Sequence, residues 1–174
     1  RREFDLINNL NRLTLSDYKD DQQLLARIKS YELAYRMQKS LPDAVDFNTE
    51  TQNTQDLYGL DNSITAPAGQ KLLAARRLGE RGVRFVQVFP TPYGRWDAHR
   101  DLKKNHTENA AKVDKPVAGL IADLKRRGLL DETLVVFCTE FGRTPGLEER
   151  GNGATGRDHH PNGFTIFMAG GGTK

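Results

Sequence analysis

From about Asp20 to Ser40 the apolar positions Leu24, Ile28, Tyr31 and Tyr35 recur at three- and four-residue steps, which places them on one face of an α-helix. Leu41-Pro42 predicts its end, because the residue before a proline is pushed out of the helical region. Residues 43 to 66 are rich in Asn, Asp, Thr and Gln and show no period, so they read as a long connection or a lid. A helical stripe returns over Gly69 to Arg81 with Leu72, Leu73, Ala75 and Leu78, and Gly82 suits a left-handed C-terminal cap. Val83 to Phe89 then predicts a strand, stopped by Pro90. Ala110, Val113, Val117, Leu120, Ile121 and Leu124 define a second long helix, with Pro116 near its first turns and Gly128 just past its end. Thr133 to Cys138 is a continuous apolar run typical of a strand covered on both faces. After a loop over residues 141 to 162, Phe164 to Ala169 predicts the last strand.

That order predicts an α/β fold with right-handed crossovers on a mostly parallel sheet. The 174 residues fit one domain, although a charged fraction of 28% and a mean hydropathy of -0.66 make the chain polar for a compact globule. The net charge of +3 comes from 26 basic and 23 acidic residues. Their signs alternate locally, as in Asp123-Leu124-Lys125-Arg126-Arg127, which reads as a solvated helix face and not as a nucleic-acid stripe. No apolar run approaches the ~18 residues of a membrane span. Cys138 is the single cysteine, so no internal disulfide exists, and its place in an apolar strand reads as core. The chain opens on Arg1 and closes on Gly170-Gly171-Gly172-Thr173-Lys174 straight after an apolar run, which reads as a piece of a longer protein with the glycines in a tight turn.

Loops beyond the carboxyl ends of parallel strands converge on one edge, where ligands bind. Trp96-Asp97-Ala98-His99, followed by His106, lies after the first predicted strand, and Thr139-Glu140-Phe141-Gly142-Arg143 lies after the second. Gly156-Arg157-Asp158-His159-His160-Pro161 precedes the last strand. All four histidines fall between residues 99 and 160. Carboxylate oxygen and neutral imidazole nitrogen are the donors that zinc, manganese and similar ions accept, and a few of them from separate loops fix a site. Asp97, His99, Glu140, Asp158, His159 and His160 are therefore the candidate ligands. Each cluster also has a plainer reading: Asp97-Ala98-His99 as a surface turn, Asp158-His159-His160 as a loop whose histidines bond backbone, and Glu140 as an ion-pair partner of Arg143.

The motifs taken together resemble a known set. Ala75-Arg76-Arg77-Leu78, Glu80 to Val86, Trp96-Asp97-x-His99, Asp123 to Val136, Glu140-Phe141-Gly142-Arg143-Thr144-Pro145, Gly156-Arg157-Asp158-His159 and Ala169-Gly170-Gly171-Gly172 resemble the bacterial family of unknown function known as DUF1501. The resemblance runs from about Tyr58 to the end, with residues 1–57 a less distinct helical segment and polar connection. That family is similar to the sulfatases and alkaline phosphatases, so the resemblance implies a three-layer sandwich with a mostly parallel sheet, incomplete here, and a two-metal centre. It implies that Asp97 and His99 hold one metal, that Glu140 stands for the aspartate of an Asp-His pair, and that His159 is the final histidine before a strand. Phe141 occupies the place of the histidine in that pair, leaving His160 or His106 to substitute. No residue matches the early metal-binding aspartate or the Ser, Thr or formylglycine nucleophile.

The leading expectation is a part of a hydrolase of phosphate or sulfate esters that uses zinc, manganese or calcium, with Arg143 and Arg157 as the residues that bind the anion's oxygens. Its substrate would be a small anionic, sulfated or phosphorylated ester, with no nucleic acid and no membrane span involved. The alternative is a protein that binds an anion or polymer without turnover on a degenerate hydrolase scaffold. A third expectation is a structural part of a larger assembly, with residues 43 to 66 as a partner-binding arm. The residues assign no compartment, and export to the periplasm or cell exterior is implied only by family habit.

Overall fold

The computed structural model describes residues 2–18, 21–139, 141–149 and 155–173, and the chain divides into two compact units, Arg1–Ala44 and Val45–Lys174. The first holds α1 (Arg2–Asp17) and most of α2 (Gln22–Val45), with the rings of Phe4 and Tyr35 stacked at 3.9 Å. Asp21 starts α2 by accepting the Leu24 N–H at 2.9 Å. The helix does not stop at Leu41-Pro42 but runs through Pro42 to Val45. Pro42 falls in its last turn, where the missing N–H costs one helical bond and not a kinked continuation.

Of the segment 43–66, residues 43–45 end α2, and in the second unit polar residues of the rest form caps rather than a lid. Asp46 accepts the Asn48 N–H at the start of a short 3-10 turn over Phe47–Thr49, and Thr51 accepts the Thr54 N–H at the start of α3 (Gln52–Leu57). Side-chain oxygens that satisfy free helical N–H groups explain why these residue types cluster there without any hydrophobic period. Helix α4 (Ala66–Glu80) carries its apolar stripe into the core, and Gly82 follows it at φ 86°, in the left-handed region. Helix α5 (Leu102–Arg126) starts well before Ala110, which puts Pro116 in its middle, buried, and not near its first turns. Tyr58, Leu72, Leu73, Leu120 and Leu124 form the buried core, joined by Phe47, Val117 and Val135. Gly119 lets α3 lie against α5, since a Cβ there would fall 2.3 Å from the Leu57 carbonyl oxygen. No helix among the described residues is long and apolar enough to cross a membrane.

The segment read as a solvated face is only half so. Lys125, Arg126 and Arg127 are exposed, but Asp123 is fully buried. Asp123 accepts from Arg126 at 2.7 Å, Arg127 at 3.0 Å and Tyr58 at 3.2 Å, and it pairs with Arg76 Nε at 3.1 Å. Arg76 also meets Glu50 at 2.8 Å and Glu80 at 2.6 Å, and Arg77 meets Glu50 at 2.8 Å. Alternating signs here are therefore the two halves of one partly buried ion network that ties α4 and α5 to the turn before α3.

The fold mixes helix and strand, with small antiparallel sheets. Strand β1 (Leu134–Cys138) pairs with β4 (Ile166–Gly170) antiparallel, from Leu134 opposite Gly170 to Cys138 opposite Ile166. Two-residue strands β2 (Gly142–Arg143) and β3 (His159–His160) also pair antiparallel. No parallel pair forms among the described residues, where the order of elements predicts a mostly parallel sheet; no described helix between β1 and β4 supplies the crossover that a parallel pair usually uses. Val83 to Phe89 is not a strand, because it has no ladder partner among the described residues, and Phe85 is 82% exposed. β1 turns Val135 to the core, while Leu134, Val136 and Cys138 are exposed together with Ile166 and Met168 of β4. Cys138 is thus not core, although it lies in the expected strand. Gly170 and Gly172 have φ of 94° and 84° and form the expected tight turn.

Candidate metal centre

The centre is assembled from two irregular segments held against each other. α5 fixes the first: buried Asn109 donates to the Arg95 carbonyl at 2.6 Å, and His106 Nε2 lies 3.2 Å from the Trp96 carbonyl oxygen. The Trp96 indole N–H donates to Thr91 at 3.0 Å. These bonds hold the backbone around Asp97 although it has no regular structure.

The second segment, residues 155–158, is stitched onto the first. Asp101 N–H donates to Thr155 Oγ1 at 2.7 Å, and Arg157 N–H donates to the Ala98 carbonyl at 3.3 Å. Gly156 permits this approach, because a Cβ there would lie 2.1 Å from the His99 carbonyl carbon. The N–H of Thr144 donates to the Asp158 carbonyl at 2.9 Å, and the Asp158 N–H returns to Thr144 Oγ1 at 3.2 Å.

At the junction Asp97 Oδ1 lies 3.1 Å from His99 Nε2 and 2.9 Å from His159 Nε2. One donor atom from each of Asp97, His99 and His159 falls within 4.8 Å of the other two. The Arg143 guanidinium binds the same Asp97 oxygen, and this with the His159 hydrogen bond holds the Asp97 carboxyl down at about 2, well below its usual range. A second group, His99, Glu148 and Asp158, meets the same distance condition. Oε2 of Glu148 lies 2.6 Å from His99 Nδ1, so His99 joins both groups.

Of the residues singled out from sequence, Asp97, His99, Asp158 and His159 are brought together. His160 belongs to neither group: it follows His159 in β3, where successive side chains point to opposite faces, and its Nδ1 accepts the Asn162 N–H at 3.3 Å. His106 stands on α5 against Trp96, also outside both groups. Glu140 lies outside the described residues. Arg143 is engaged with Asp97 and with the carbonyls of Trp96 at 3.3 Å and Arg157 at 2.9 Å, so its guanidinium is turned to the protein. The Arg157 guanidinium forms no hydrogen bond or ion pair with a described residue. Phe141 tilts against His159 with ring centroids 4.3 Å apart. Glu148 carries no signal in the sequence, since it is one of two adjacent glutamates in Leu147-Glu148-Glu149, and nothing there distinguishes it from an ordinary solvated acidic pair.

Neither a curated protein nor a solved structure matches this chain. A family model does, and it spans residues 1–174, so the family's pattern extends through the first 57 residues as well as the motifs that follow them. The chain therefore belongs to the family described as protein of unknown function (DUF1501).

Proposed function

We propose that this chain is part of a metal-dependent hydrolase of phosphate or sulfate esters, built on a sulfatase-like or alkaline-phosphatase-like sandwich. The observation that carries the reading is the convergence of Asp97 and His99, from one loop, and His159, from β3 far along the chain, onto one point. The donor set fits a cation: one carboxylate oxygen and two imidazole nitrogens suit zinc or manganese better than calcium, which takes a cage of oxygens. When bound, such an ion lowers the pKa of a nucleophile and stabilises charge on the transferred group.

The chain's own residues prepare that chemistry. Arg143 keeps Asp97 anionic and fixes its direction, which is a positioning role. Arg157, half-buried beside the centre with its guanidinium unpartnered among the described residues, is the group suited to the oxygens of a phosphate or sulfate. No residue matches the superfamily's nucleophile motif, so turnover is assigned to a longer protein that supplies it. The apolar face of Leu134, Val136, Ile166 and Met168 supports that assignment, because a sandwich would cover it.

Zinc and manganese titrations of the chain, with Asp97→Ala and His159→Ala alongside, test the site. Binding in the parent chain that is lost in both variants is expected; unchanged affinity in both sinks the assignment. Assay of the longer protein on generic phosphate and sulfate esters with added metal tests the activity. Phe141 against His159, where the superfamily has a histidine, favours binding without turnover as the second reading. Metal binding without any ester turnover would select it.

A further inference from the structure

We propose that Glu148 is a positioning residue which locks His99 in the Nδ1–H tautomer and so frees Nε2 to act as a ligand; the inference rests on the metal reading for its purpose but not for its test. The Glu148 side chain is 3% exposed, and its Oε2 lies 2.6 Å from His99 Nδ1. Its own N–H donates to the Gly156 carbonyl at 3.0 Å, so the segment that carries the carboxylate is held to the one packed on His99.

A neutral imidazole has one proton, and two carboxylates compete for it. Asp97 Oδ1 lies 3.1 Å from Nε2 and is open to solvent, with its side chain 43% exposed. Glu148 makes the shorter contact, and it does so buried, where a hydrogen bond is electrostatically stronger. A carboxylate only accepts, so the proton that bonds Glu148 must sit on Nδ1. The Nε2 lone pair is then left facing the Asp97 oxygen, an arrangement that is repulsive until a cation lies between them. Had Asp97 won the proton, Nε2–H would occupy the ligand position. A buried carboxylate that orients a histidine ligand from its far nitrogen is a recognised way of raising metal affinity.

The test is a long-range proton–nitrogen NMR spectrum of the metal-free chain in mildly alkaline solution, with His99 assigned by its loss in His99→Gln. The expected pattern is a protonated Nδ1 and an unprotonated Nε2. In Glu148→Ala this pattern should give way to the Nε2–H or mixed form, and zinc affinity should fall about 10–100-fold. Glu148→Gln, whose amide oxygen still accepts from Nδ1, should keep the tautomer and recover most of the affinity. An Nε2–H tautomer in the parent chain overturns the proposal, as does a tautomer unchanged in Glu148→Ala. Retained tautomer with lost affinity in Glu148→Gln also overturns it, by making Glu148 a ligand itself. If the parent chain binds no zinc while its tautomer still follows Glu148, the metal reading fails and the positioning role stands. Should Glu148→Ala not fold, the parent and Glu148→Gln spectra decide.

Discussion

The hydroxyl of Tyr58 donates to Oδ2 of Asp123 at 3.2 Å, joining residues 65 positions apart at a point closed to solvent on both sides. Burial, with the negative charge of Asp123 next to it, pushes the tyrosine hydroxyl far above its usual range. Burial alone would also raise the Asp123 carboxyl, but hydrogen bonds from Arg126 and Arg127 outweigh it and hold that carboxyl below its usual range. The pair therefore works as a neutral donor on a fixed anion at the centre of the arginine network.

Removing the anion should be far worse than removing the donor. Asp123→Ala removes the buried anion that Arg76, Arg126 and Arg127 share, leaving Arg76 to Glu50 and Glu80, and should cost about 3–5 kcal/mol. Tyr58→Phe loses one hydrogen bond to a charged acceptor and should cost about 1.5–3 kcal/mol. Urea unfolding of both variants measures the difference; equal losses would mean that the network contributes no more than the single bond.

Asp97 should titrate near its depressed value, and Arg143 should be the main reason. A carboxyl whose folded value is lowered contributes stability above its unfolded value of ~3.9 that is lost as pH falls through about 2. At an exposed group this contribution to folding is small, so the carboxyl is better followed directly. Carbon-detected NMR titration should show the Asp97 midpoint rising toward the ordinary range in Arg143→Met. A midpoint that does not move would remove Arg143 from the role given to it.

Gly156→Ala should damage the centre more than the fold. The added methyl meets the His99 carbonyl at 2.1 Å, so the 155–158 segment must lift from the Asp97–His99 turn. The expected cost is about 1–3 kcal/mol in unfolding free energy, as for other forced overpacking. Zinc affinity should fall together with it, while the core around Leu73 and Leu120 keeps its amide protection in hydrogen exchange.

The open face of the β1–β4 sheet should make the chain sticky. Met168 is 54% exposed and lies opposite Val136 on that face. Met168→Lys should reduce binding of a hydrophobic dye and concentration-dependent light scattering, with stability changed by less than about 0.5 kcal/mol. Unaltered dye binding would place the adhesive surface elsewhere.

Local pattern was enough to mark α4, the body of α5, β1, β4 and the glycine turn after it, because period and cap chemistry act over a few residues. Asp97, His99 and His159 were also legible as candidate ligands, since ligand chemistry belongs to the side chain wherever it falls. Pairing was not legible. Val83 to Phe89 has the composition of a strand, but a strand needs a neighbour, and β1 and β4 run antiparallel where the order of elements predicted a mostly parallel sheet.

The sequence by itself therefore determined which side chains are of a type that could hold a metal and where most regular elements lie. Only the tertiary structure decided that His160 points away while Glu148 backs His99, that Arg143 serves Asp97, and that Asp123 is buried in an ion network and not solvated. The reason is physical. Each of these outcomes depends on which distant group stands opposite a side chain, and that is set by close approach at Gly156 and the turn around Asp97, which leave no periodic trace in the chain, and by the register of α4 on α5, which their apolar stripes do not fix.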